Sequence, residues 1–248
     1  MKKILFLLVL CFGFQKSHSQ VLMSLIFGDK LNSPNIEFGL EGGANFSTIS
    51  NLDSDHRTDF NLGFYFDFNL KNPSWMFNTG VIVKSTMGAD NVAIYSLNDE
   101  KLDAVFAEGS VKRTINYFNV PLMIKYKFDN NIYIKAGTQL GLLSTANDMF
   151  HQNYYGDDLE YKNNIRDKIH VVDAGLAFGL GYRLKTGKYG MNLGLQYYYG
   201  LVPLLKGDNS PNQYNRSLYL TAGLPIGKGK AAKKAAEKKK KAEEGLSQ

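Results

Sequence analysis

The chain has 248 residues, of which 44% are hydrophobic and 21% charged, and this composition excludes a fully disordered protein. Its single Cys excludes a disulfide framework and a cysteine-based zinc site. The net charge of +6 arises at the two ends of the chain, because residues 1–19 and 228–248 hold the excess of Lys. The body between them is slightly acidic, so we expect no nucleic acid partner.

Residues 1–19 have the pattern of an export signal peptide. Lys2 and Lys3 precede an apolar stretch at residues 4–14, and small residues occupy positions −3 and −1 of a cleavage site before Gln20. The apolar stretch is too short to cross a bilayer as a helix, and no later segment is long and apolar enough to do so. Any crossing of a membrane is therefore expected to use strands.

Alternation of apolar and polar residues with period two runs along most of the remaining chain. Within residues 59–70, for example, Phe60 and Leu62 alternate with Asn61 and Gly63, as in a strand with one apolar face. Most of the segments are about 11 to 13 residues long, which exceeds the usual soluble strand and matches a tilted membrane strand. The pattern predicts eight strands, at residues 36–46, 59–70, 75–85, 118–128, 132–142, 172–184, 189–199 and 218–226.

The apolar faces of these segments carry no charged residue, and their polar members are Thr79, Ser85 and Thr138. Contact with lipid explains this pattern, because an Arg or Lys on the lipid face at mid-bilayer costs about 2–4 kcal/mol. The opposite faces are rich in Gly and small polar residues, which fit the narrow lumen of an eight-stranded barrel. A soluble lipocalin-like barrel is the alternative, and it would need the apolar faces to point inward. The sequence predicts an all-β fold, an eight-stranded antiparallel transmembrane β-barrel of up-and-down type over residues 36–227.

The predicted connections alternate in length, which indicates the topology. Residues 71–74, 129–131 and 185–188 form short turns, and the other four connections are longer, as in outer-membrane barrels whose termini lie in the periplasm. Residues 20–35 are then a periplasmic segment before the barrel, and its apolar residues favour docking at the barrel mouth. The Lys/Ala/Glu-rich residues 228–248 lack an apolar face, so a disordered tail or frayed helix is expected.

Aromatic residues concentrate at the two ends of the predicted strands, as they do at membrane interfaces. The outer-membrane lipids and the barrel assembly machinery are therefore expected partners, and the long loops are available to a protein partner or a surface ligand. The predicted aromatic belt comprises Phe68, Trp75, Phe77, Tyr126, Phe128, Tyr182, Tyr189, Tyr197 and Tyr199.

Three stretches carry a resemblance to a known family: "EFGLEGGANFSTIS", "YFNVPLMIKYKF" and "DAGLAFGLGYRL". From about residue 28 to residue 226 the chain resembles the PorT-like outer-membrane β-barrel family. The resemblance implies eight antiparallel strands in the outer membrane. The name-giving member is associated with protein secretion across that membrane, so the resemblance also implies a secretion-associated role.

Charged residues on the inward faces predict a network inside the lumen. Four acidic and five basic side chains would pair with one another, because an unpaired charge in a narrow lumen is costly. Pairing predicts a closed polar plug, and a small conducting pore is the alternative. The predicted lumen charge network consists of Glu37, Glu41, Asp67, Lys84, Lys125, Lys127, Lys135, Asp173 and Arg183.

The sequence offers few residues for chemistry. An outer-membrane lipid-modifying enzyme would need His56, His151 or His170 to meet a Ser and a carboxylate at the outer rim. The loop acids lack the spacing and the Gly of a calcium loop. We therefore expect no catalytic, cofactor-binding or metal-binding residues, and a non-enzymatic scaffold, binding or secretion-associated protein.

One residue predicts a local irregularity. Pro121 lies inside the fourth predicted strand, where it has no N–H to donate to a neighbouring strand. We therefore expect a β-bulge at this position.

Overall fold

The computed structural model describes residues 35–154, 156–184, 190–207 and 211–226. The predicted signal peptide, the pre-barrel segment up to residue 34 and the tail at 228–248 lie outside the described residues. Within them, no helix is long and apolar enough to cross a membrane. The elements are β1 (Ile36–Ser50), β2 (Arg57–Asn69), β3 (Trp75–Val92), α1 (Glu100–Phe106), β4 (Ser110–Lys127), β5 (Ile132–Tyr154), β6 (Asp157–Asn164), a 3-10 turn (Arg166–Lys168), β7 (Val172–Leu184), β8 (Met191–Gly200) and β9 (Tyr214–Pro225).

Eight of these strands form a closed ring in the order β1–β2–β3–β4–β5–β7–β8–β9, and β9 pairs back onto β1. All pairings are antiparallel. Closure removes the free edges that an open sheet would expose. The predicted eight-stranded barrel is confirmed. Strand β6 lies outside the ring and pairs with the distal part of β5.

Side chains alternate between the two faces of the barrel wall. On β8, Asn192 and Gln196 are buried inside the ring, whereas Leu193 and Leu195 are exposed outside it. The same arrangement holds on β7, where Leu180 keeps 57% of its surface exposed. A large apolar side chain left this exposed requires an apolar solvent. The apolar faces therefore point outward, which excludes the lipocalin-like alternative.

Three strands extend well beyond their predicted ends. β3 and β4 each have 18 residues and β5 has 23, so much of the predicted loops at 86–117 and 143–171 is strand. These extensions project beyond the ring on the long-loop side, and β6 adds a fourth strand to them. We call this four-stranded projection of β3–β6 the outer sheet.

A β-bulge in β3 corrects the predicted register. Leu62 pairs with Lys84 whereas Gly63 pairs with Ile82, so β3 carries one extra residue between them. The extra residue reverses the side-chain alternation. Ser85 is therefore buried inside the ring and Lys84 is exposed outside it, the reverse of their predicted sides.

The prediction of a β-bulge at Pro121 is wrong. Pro121 pairs in register with Gln139 on β5, without a shift. The β4–β5 irregularity lies further along: Asn116 pairs with Thr145 and Tyr117 with Leu143, which leaves an extra residue on β5.

An apolar core closes the ring at its long-loop end, and we call it the apolar cap. It combines inward residues of the extended strands with Phe106 of α1 and with loop residues that fold over the opening. Its buried members are Ile49, Met87, Ala89, Val92, Phe106, Val111, Ile115, Tyr117, Leu143, Ala146, Phe150, Ile165, Ile169, Tyr198, Leu204 and Tyr219.

Glycine on the inner face makes room for two tyrosine rings, those of Tyr65 and Tyr133, each of which lies over the glycine paired with it on the neighbouring strand. A Cβ added to Gly39 would lie 2.5 Å from Cε1 of Tyr65, and one added to Gly181 would lie 2.3 Å from the Tyr133 hydroxyl. Such distances are not tolerated by real side chains, so these positions require Gly. The Gly-rich inner face thus allows large polar side chains to fill the barrel.

Candidate functional site: the lumen and the outer sheet

The first ion pair of the lumen lies near the short-turn end. Arg183 Nη2 donates to Glu37 Oε2 across 2.8 Å, from β7 to β1. The Tyr65 hydroxyl donates to Glu37 Oε1 at 3.0 Å, and Asn192 donates in turn to that hydroxyl at 3.2 Å. Strands on several sides of the ring are therefore joined through one carboxylate.

A second ion pair lies at a similar depth. Lys125 Nζ on β4 donates to Asp67 Oδ2 on β2 at 2.7 Å, and Asn78 donates to Asp67 Oδ1 at 2.7 Å. The Lys125 ammonium also lies 4.3 Å from the ring centre of Tyr133, a cation–π contact. Asp67 and Lys125 are both almost completely buried, so each charge depends on the other.

Four of the remaining predicted network residues, Glu41, Lys84, Lys135 and Asp173, form no ion pair within the described residues. Glu41 and Lys135 face the interior, and within the described residues neither side chain has a hydrogen-bond or ion-pair partner. Lys127 is the last residue of β4 and is half-buried at the rim. Asp173 accepts a hydrogen bond of 2.8 Å from Asn215 and has no ion-pair partner in the part of the chain that the structure describes. Lys84 lies outside, as described above.

Sequence reasoning missed three buried tyrosines of the apolar cap whose hydroxyl groups make hydrogen bonds in the lumen. Tyr117, Tyr198 and Tyr219 are among the largest fully buried side chains of the described residues. Asn215 donates to the Tyr117 hydroxyl at 3.2 Å, and Gln139 donates to the Tyr219 hydroxyl at 3.5 Å. The signal available in the sequence was the period-two alternation, which places these three tyrosines on the inner face of the strands. The three tyrosines thus form a hydrogen-bonded part of the apolar cap.

A further ion pair, also missed from the sequence, lies in the outer sheet. Arg113 donates to both carboxylate oxygens of Asp148, at 2.9 and 2.7 Å. The Tyr95 hydroxyl donates to the same carboxylate at 2.8 Å, and Asn163 donates to that hydroxyl at 2.9 Å. Burial, together with the nearby Asp148 charge, raises the pKa of Tyr95 to about 12.

The three candidate histidines have different surroundings. His151 Nδ1 lies 3.2 Å from Glu160 Oε1, on the solvent side of the outer sheet. Ser110 on β4 pairs directly with His151 on β5, and His151 pairs directly with Glu160 on β6. All three residues line one polar surface groove of about 480 Å³. Directly opposite residues share a face of a sheet, so a Ser, a His and a carboxylate lie in one row.

His56 and His170 do not join such a row. His56 is exposed in the β1–β2 connection, and His170 is half-buried beside the start of β7. The predicted loop acids do not assemble either. Within the described residues, no three His, Cys, Asp or Glu side chains are placed to hold a metal ion.

The aromatic belt lies on the outer face at both ends of the barrel. Trp75 and Tyr126 are in contact at the short-turn end, with ring centres 4.8 Å apart. At the long-loop end, the Arg216 guanidinium stacks on the Tyr199 ring, with its central carbon 3.6 Å from the ring centre. Tyr189 lies outside the described residues. The other belt residues occupy outward positions within three residues of a strand end: Phe68, Phe77, Phe128, Tyr182 and Tyr197.

Comparison with known proteins identifies the family. Residues 27–206 match the family described as outer membrane protein beta-barrel domain. No curated protein matches the chain in sequence. Among solved structures, Ail, the attachment invasion locus protein of Yersinia pestis, is 11% identical with a TM-score of 0.38, over 77% of this chain and 99% of that one. Neisserial surface protein A is 14% identical with a TM-score of 0.36, over 76% and 96%.

A third solved structure, the N-terminal β-barrel domain of Pseudomonas aeruginosa OprF, is 10% identical with a TM-score of 0.25, over 76% of this chain and 97% of that one. The family match covers well over half of the chain, and the closed ring with an apolar outer face agrees with it. The chain therefore belongs to the outer membrane protein beta-barrel domain family, and its barrel is an outer-membrane barrel.

Proposed function

We propose that the protein is a non-enzymatic outer-membrane scaffold with a closed lumen, which presents its outer sheet to a surface ligand or protein partner. The observation that carries this proposal is the filled interior. Two ion pairs, Glu37–Arg183 and Asp67–Lys125, bridge strands inside the ring. The apolar cap lies beyond them and closes the long-loop end.

The proposal includes the route to the membrane and the orientation in it. Residues 1–19 act as a cleaved signal peptide, and the barrel assembly machinery inserts the chain with both mature termini in the periplasm. The short turns then face the periplasm and the outer sheet faces the exterior. Resemblance to the PorT-like family supports a secretion-associated role for the partner that the outer sheet binds.

Planar-bilayer recording tests the closed lumen. We expect the refolded protein to give no steady unitary conductance, because the interior is filled by paired charges and by tyrosine rings. A band that shifts on gels after boiling would show that the recorded sample is a folded barrel. Large, steady unitary conductance from that sample would contradict the proposal and favour the small pore.

Cysteine labelling of intact cells tests the orientation. The native Cys11 lies in the proposed signal peptide, so single-cysteine variants of the mature barrel carry no other thiol. A membrane-impermeant maleimide should label Asn98→Cys, in the β3–β4 connection beside α1. It should not label Asn72→Cys, in the β2–β3 turn, until the cells are lysed. The opposite pattern would reverse the topology.

The row of Ser110, His151 and Glu160 favours a second candidate, a surface ester hydrolase. In that function the Glu160 carboxylate would orient the His151 ring through Nδ1, and Nε2 would accept the Ser110 proton as the hydroxyl attacks an ester carbonyl. Ser110 lies eight residues from the outward Phe118 along β4, roughly 25 Å at the rise of a strand. The substrate would therefore lie above the bilayer.

A serine-reactive fluorophosphonate probe distinguishes the two candidates. The scaffold proposal expects no labelling of the folded protein. The hydrolase candidate expects labelling that Ser110→Ala abolishes, together with ester hydrolysis that His151→Gln abolishes. Ser144→Ala, on β5 at the β4–β5 irregularity, is the matched control and should leave both readouts unchanged.

A further inference from the structure

Arg216 lies on the outer face of the barrel, at the edge of the apolar surface. On β9 it is two residues from Leu218, which points outward and keeps 40% of its surface exposed. Leu218 pairs with Phe46 on β1 and with Tyr197 on β8, and both of these side chains are exposed on the same face. The row beside Arg216 therefore belongs to the lipid-facing surface, and Arg216 lies at the long-loop boundary of that surface.

Two backbone carbonyl groups fix one side of the Arg216 guanidinium. Nη1 donates to the carbonyl oxygens of Gly200 on β8 and of Asn215 on β9, each at 2.8 Å. These two bonds use both N–H groups of Nη1. Nε and Nη2 donate to no atom of the described residues. Their N–H groups share one edge of the planar guanidinium, and this edge is free to bind an acceptor that offers two oxygens.

Two tyrosine rings hold the plane of the guanidinium. Tyr199 lies directly opposite Arg216 on β8, and its ring centre is 3.6 Å from the central carbon of the guanidinium. The ring centre of Tyr214, two residues back along β9, is 5.6 Å from the same carbon. Such cation–π contacts favour one orientation of the charged group, and tyrosine is typical of the membrane–water interface. The free edge of Arg216 is therefore presented at the interface in a fixed orientation.

The charge of Arg216 has no ion-pair partner in the part of the chain that the structure describes. Asp173 interacts with it electrostatically from the inner side of the wall, where Asp173 is buried, but the two side chains form no ion pair. On the outer face, Thr48 of β1 pairs directly with Arg216 and is neutral. A half-buried guanidinium at the edge of the bilayer is thus available to an anion outside the barrel.

The bilayer itself supplies such an anion, because lipid phosphates lie just outside the hydrocarbon core. The two unesterified oxygens of a phosphodiester match the Nε and Nη2 edge of Arg, which binds phosphate through two parallel hydrogen bonds. We propose that Arg216 binds the phosphate of an anionic phospholipid in the leaflet at the long-loop end. The acyl chains of this lipid then lie against Leu218 and Phe46.

This lipid site is separate from the function proposed above for the outer sheet, and either can fail without the other. It also holds whichever side of the membrane the long loops occupy, because the contacts that define it do not depend on that orientation.

Lipid binding to the refolded protein tests the proposal. The protein is incubated in micelles that contain equal amounts of phosphatidylglycerol and phosphatidylcholine with the same acyl chains, and bound lipid is identified by native mass spectrometry. We expect phosphatidylglycerol to bind in several-fold excess, because no choline offsets the negative charge of its phosphate. Equal binding of the two lipids, or equal binding of diacylglycerol with the same chains, would overturn the proposal.

Three variants localise the preference, and a gel shift on boiling shows that each is folded. Arg216→Gln should lose the preference for phosphatidylglycerol. Arg216→Lys should keep part of it, because Lys retains the charge but lacks the two-donor edge. Lys162→Gln is the matched control and should keep all of it, because it removes a positive charge from an exposed position on β6 of the outer sheet. Full preference in Arg216→Gln, or its loss in Lys162→Gln, would overturn the proposal.

Two further measurements separate the lipid from other anions. Inorganic phosphate at the same concentration should not displace phosphatidylglycerol, because it has no acyl chains to contact the barrel. Displacement would overturn the lipid site in favour of a soluble phosphate. The protein in these micelles should also be monomeric. A dimer that Arg216→Gln dissociates would overturn the proposal and indicate that a carboxylate of a second copy binds Arg216.

Discussion

Arg113 and Asp148 face each other across β4 and β5 and are joined by two hydrogen bonds, of 2.9 and 2.7 Å, where the Asp148 side chain is fully buried. Two parallel bonds between a guanidinium and a carboxylate are among the strongest polar contacts that a protein makes. The pair joins two strands of the outer sheet. Asp148 also accepts a hydrogen bond from Tyr95, whose ring packs against Phe150 of the apolar cap. It therefore links the outer sheet to the closure of the barrel.

Arg113→Met should destabilise the outer sheet strongly. It leaves the Asp148 carboxylate buried without its cation, at a typical cost of about 3–5 kcal/mol. Amide hydrogen exchange of β4 and β5 residues above Tyr117 measures this loss. The double variant Arg113→Met/Asp148→Leu should recover most of the protection, because no charge remains buried. Equal protection in the single and double variants would contradict the role of the pair.

Tyr95 should make the stability of the protein depend on alkaline pH. Its pKa is raised from 10 to about 12 in the folded state by burial and by Asp148. The unfolded chain therefore loses this proton first as the pH rises, and the contribution of Tyr95, complete below pH 10, falls progressively between pH 10 and 12. Tyr95 is half-buried, so solvent screening moderates the size of the effect.

Urea unfolding of wild type and Tyr95→Phe at pH 9 and pH 11 measures this dependence. The comparison removes the effect of the other tyrosines and lysines, which titrate in both proteins. We expect wild type to exceed the variant in stability by more at pH 9 than at pH 11. A constant difference would show that Tyr95 titrates normally.

Lys125 and Lys135 give a matched test inside the lumen, because they lie directly opposite each other on β4 and β5. Lys125 is paired with Asp67, whereas Lys135 has no ion-pair partner within the described residues. Lys125→Met should cost about 3–5 kcal/mol, because it leaves Asp67 buried and unpaired. Lys135→Met should cost little or stabilise. Urea midpoints in micelles compare the two, and equal losses would disprove the pairing argument.

A charged side chain on the outer face of the barrel should destabilise the folded protein only where that face contacts lipid. Leu122 and Thr114 both point outward on β4, and Thr114 lies on the outer sheet beyond Phe118. Leu122→Arg should lower the folded fraction, by the cost of about 2–4 kcal/mol at mid-bilayer. Thr114→Arg should leave it unchanged. The fraction that migrates as a folded band on an unboiled gel measures both, and similar losses would place Thr114 in the membrane.

Glycine at position 39 should be irreplaceable, unlike glycine at position 42 on the same strand. A Cβ at Gly39 would meet the Tyr65 ring at 2.5 Å and the Leu224 carbonyl oxygen at 2.6 Å, whereas at Gly42 the nearest atom is 3.2 Å away. Gly39→Ala should therefore cost about 1–3 kcal/mol through overpacking. Gly42→Ala should cost less. The urea midpoints rank the two variants, and the reverse order would place Tyr65 elsewhere.

The sequence by itself determined that the chain forms a β-barrel, how many strands the barrel has and which face of each strand points outward. Large apolar residues alternate strictly with Gly and small polar residues along the strands. Because the apolar face is too bulky for the lumen of an eight-stranded barrel, it must face the lipid. The faces of residues such as Leu180 and Gln196 therefore follow from the sequence alone. The same parity placed Glu37, Asp67, Lys125 and Arg183 inside.

Only the tertiary structure decided which of these charges meet. A single extra residue at the β3 bulge moved Lys84 outside and Ser85 inside, and no local propensity marks that position in the sequence. Pairing also depends on distance across the ring, which parity does not specify. Asp67 is paired with Lys125, whereas Glu41 has no ion-pair partner among the residues that the structure describes. The apolar cap, the Arg113–Asp148 pair and the row of Ser110, His151 and Glu160 arise from contacts between segments far apart in the chain. Such contacts follow from how the long connections fold over the barrel, and a local sequence pattern does not record them.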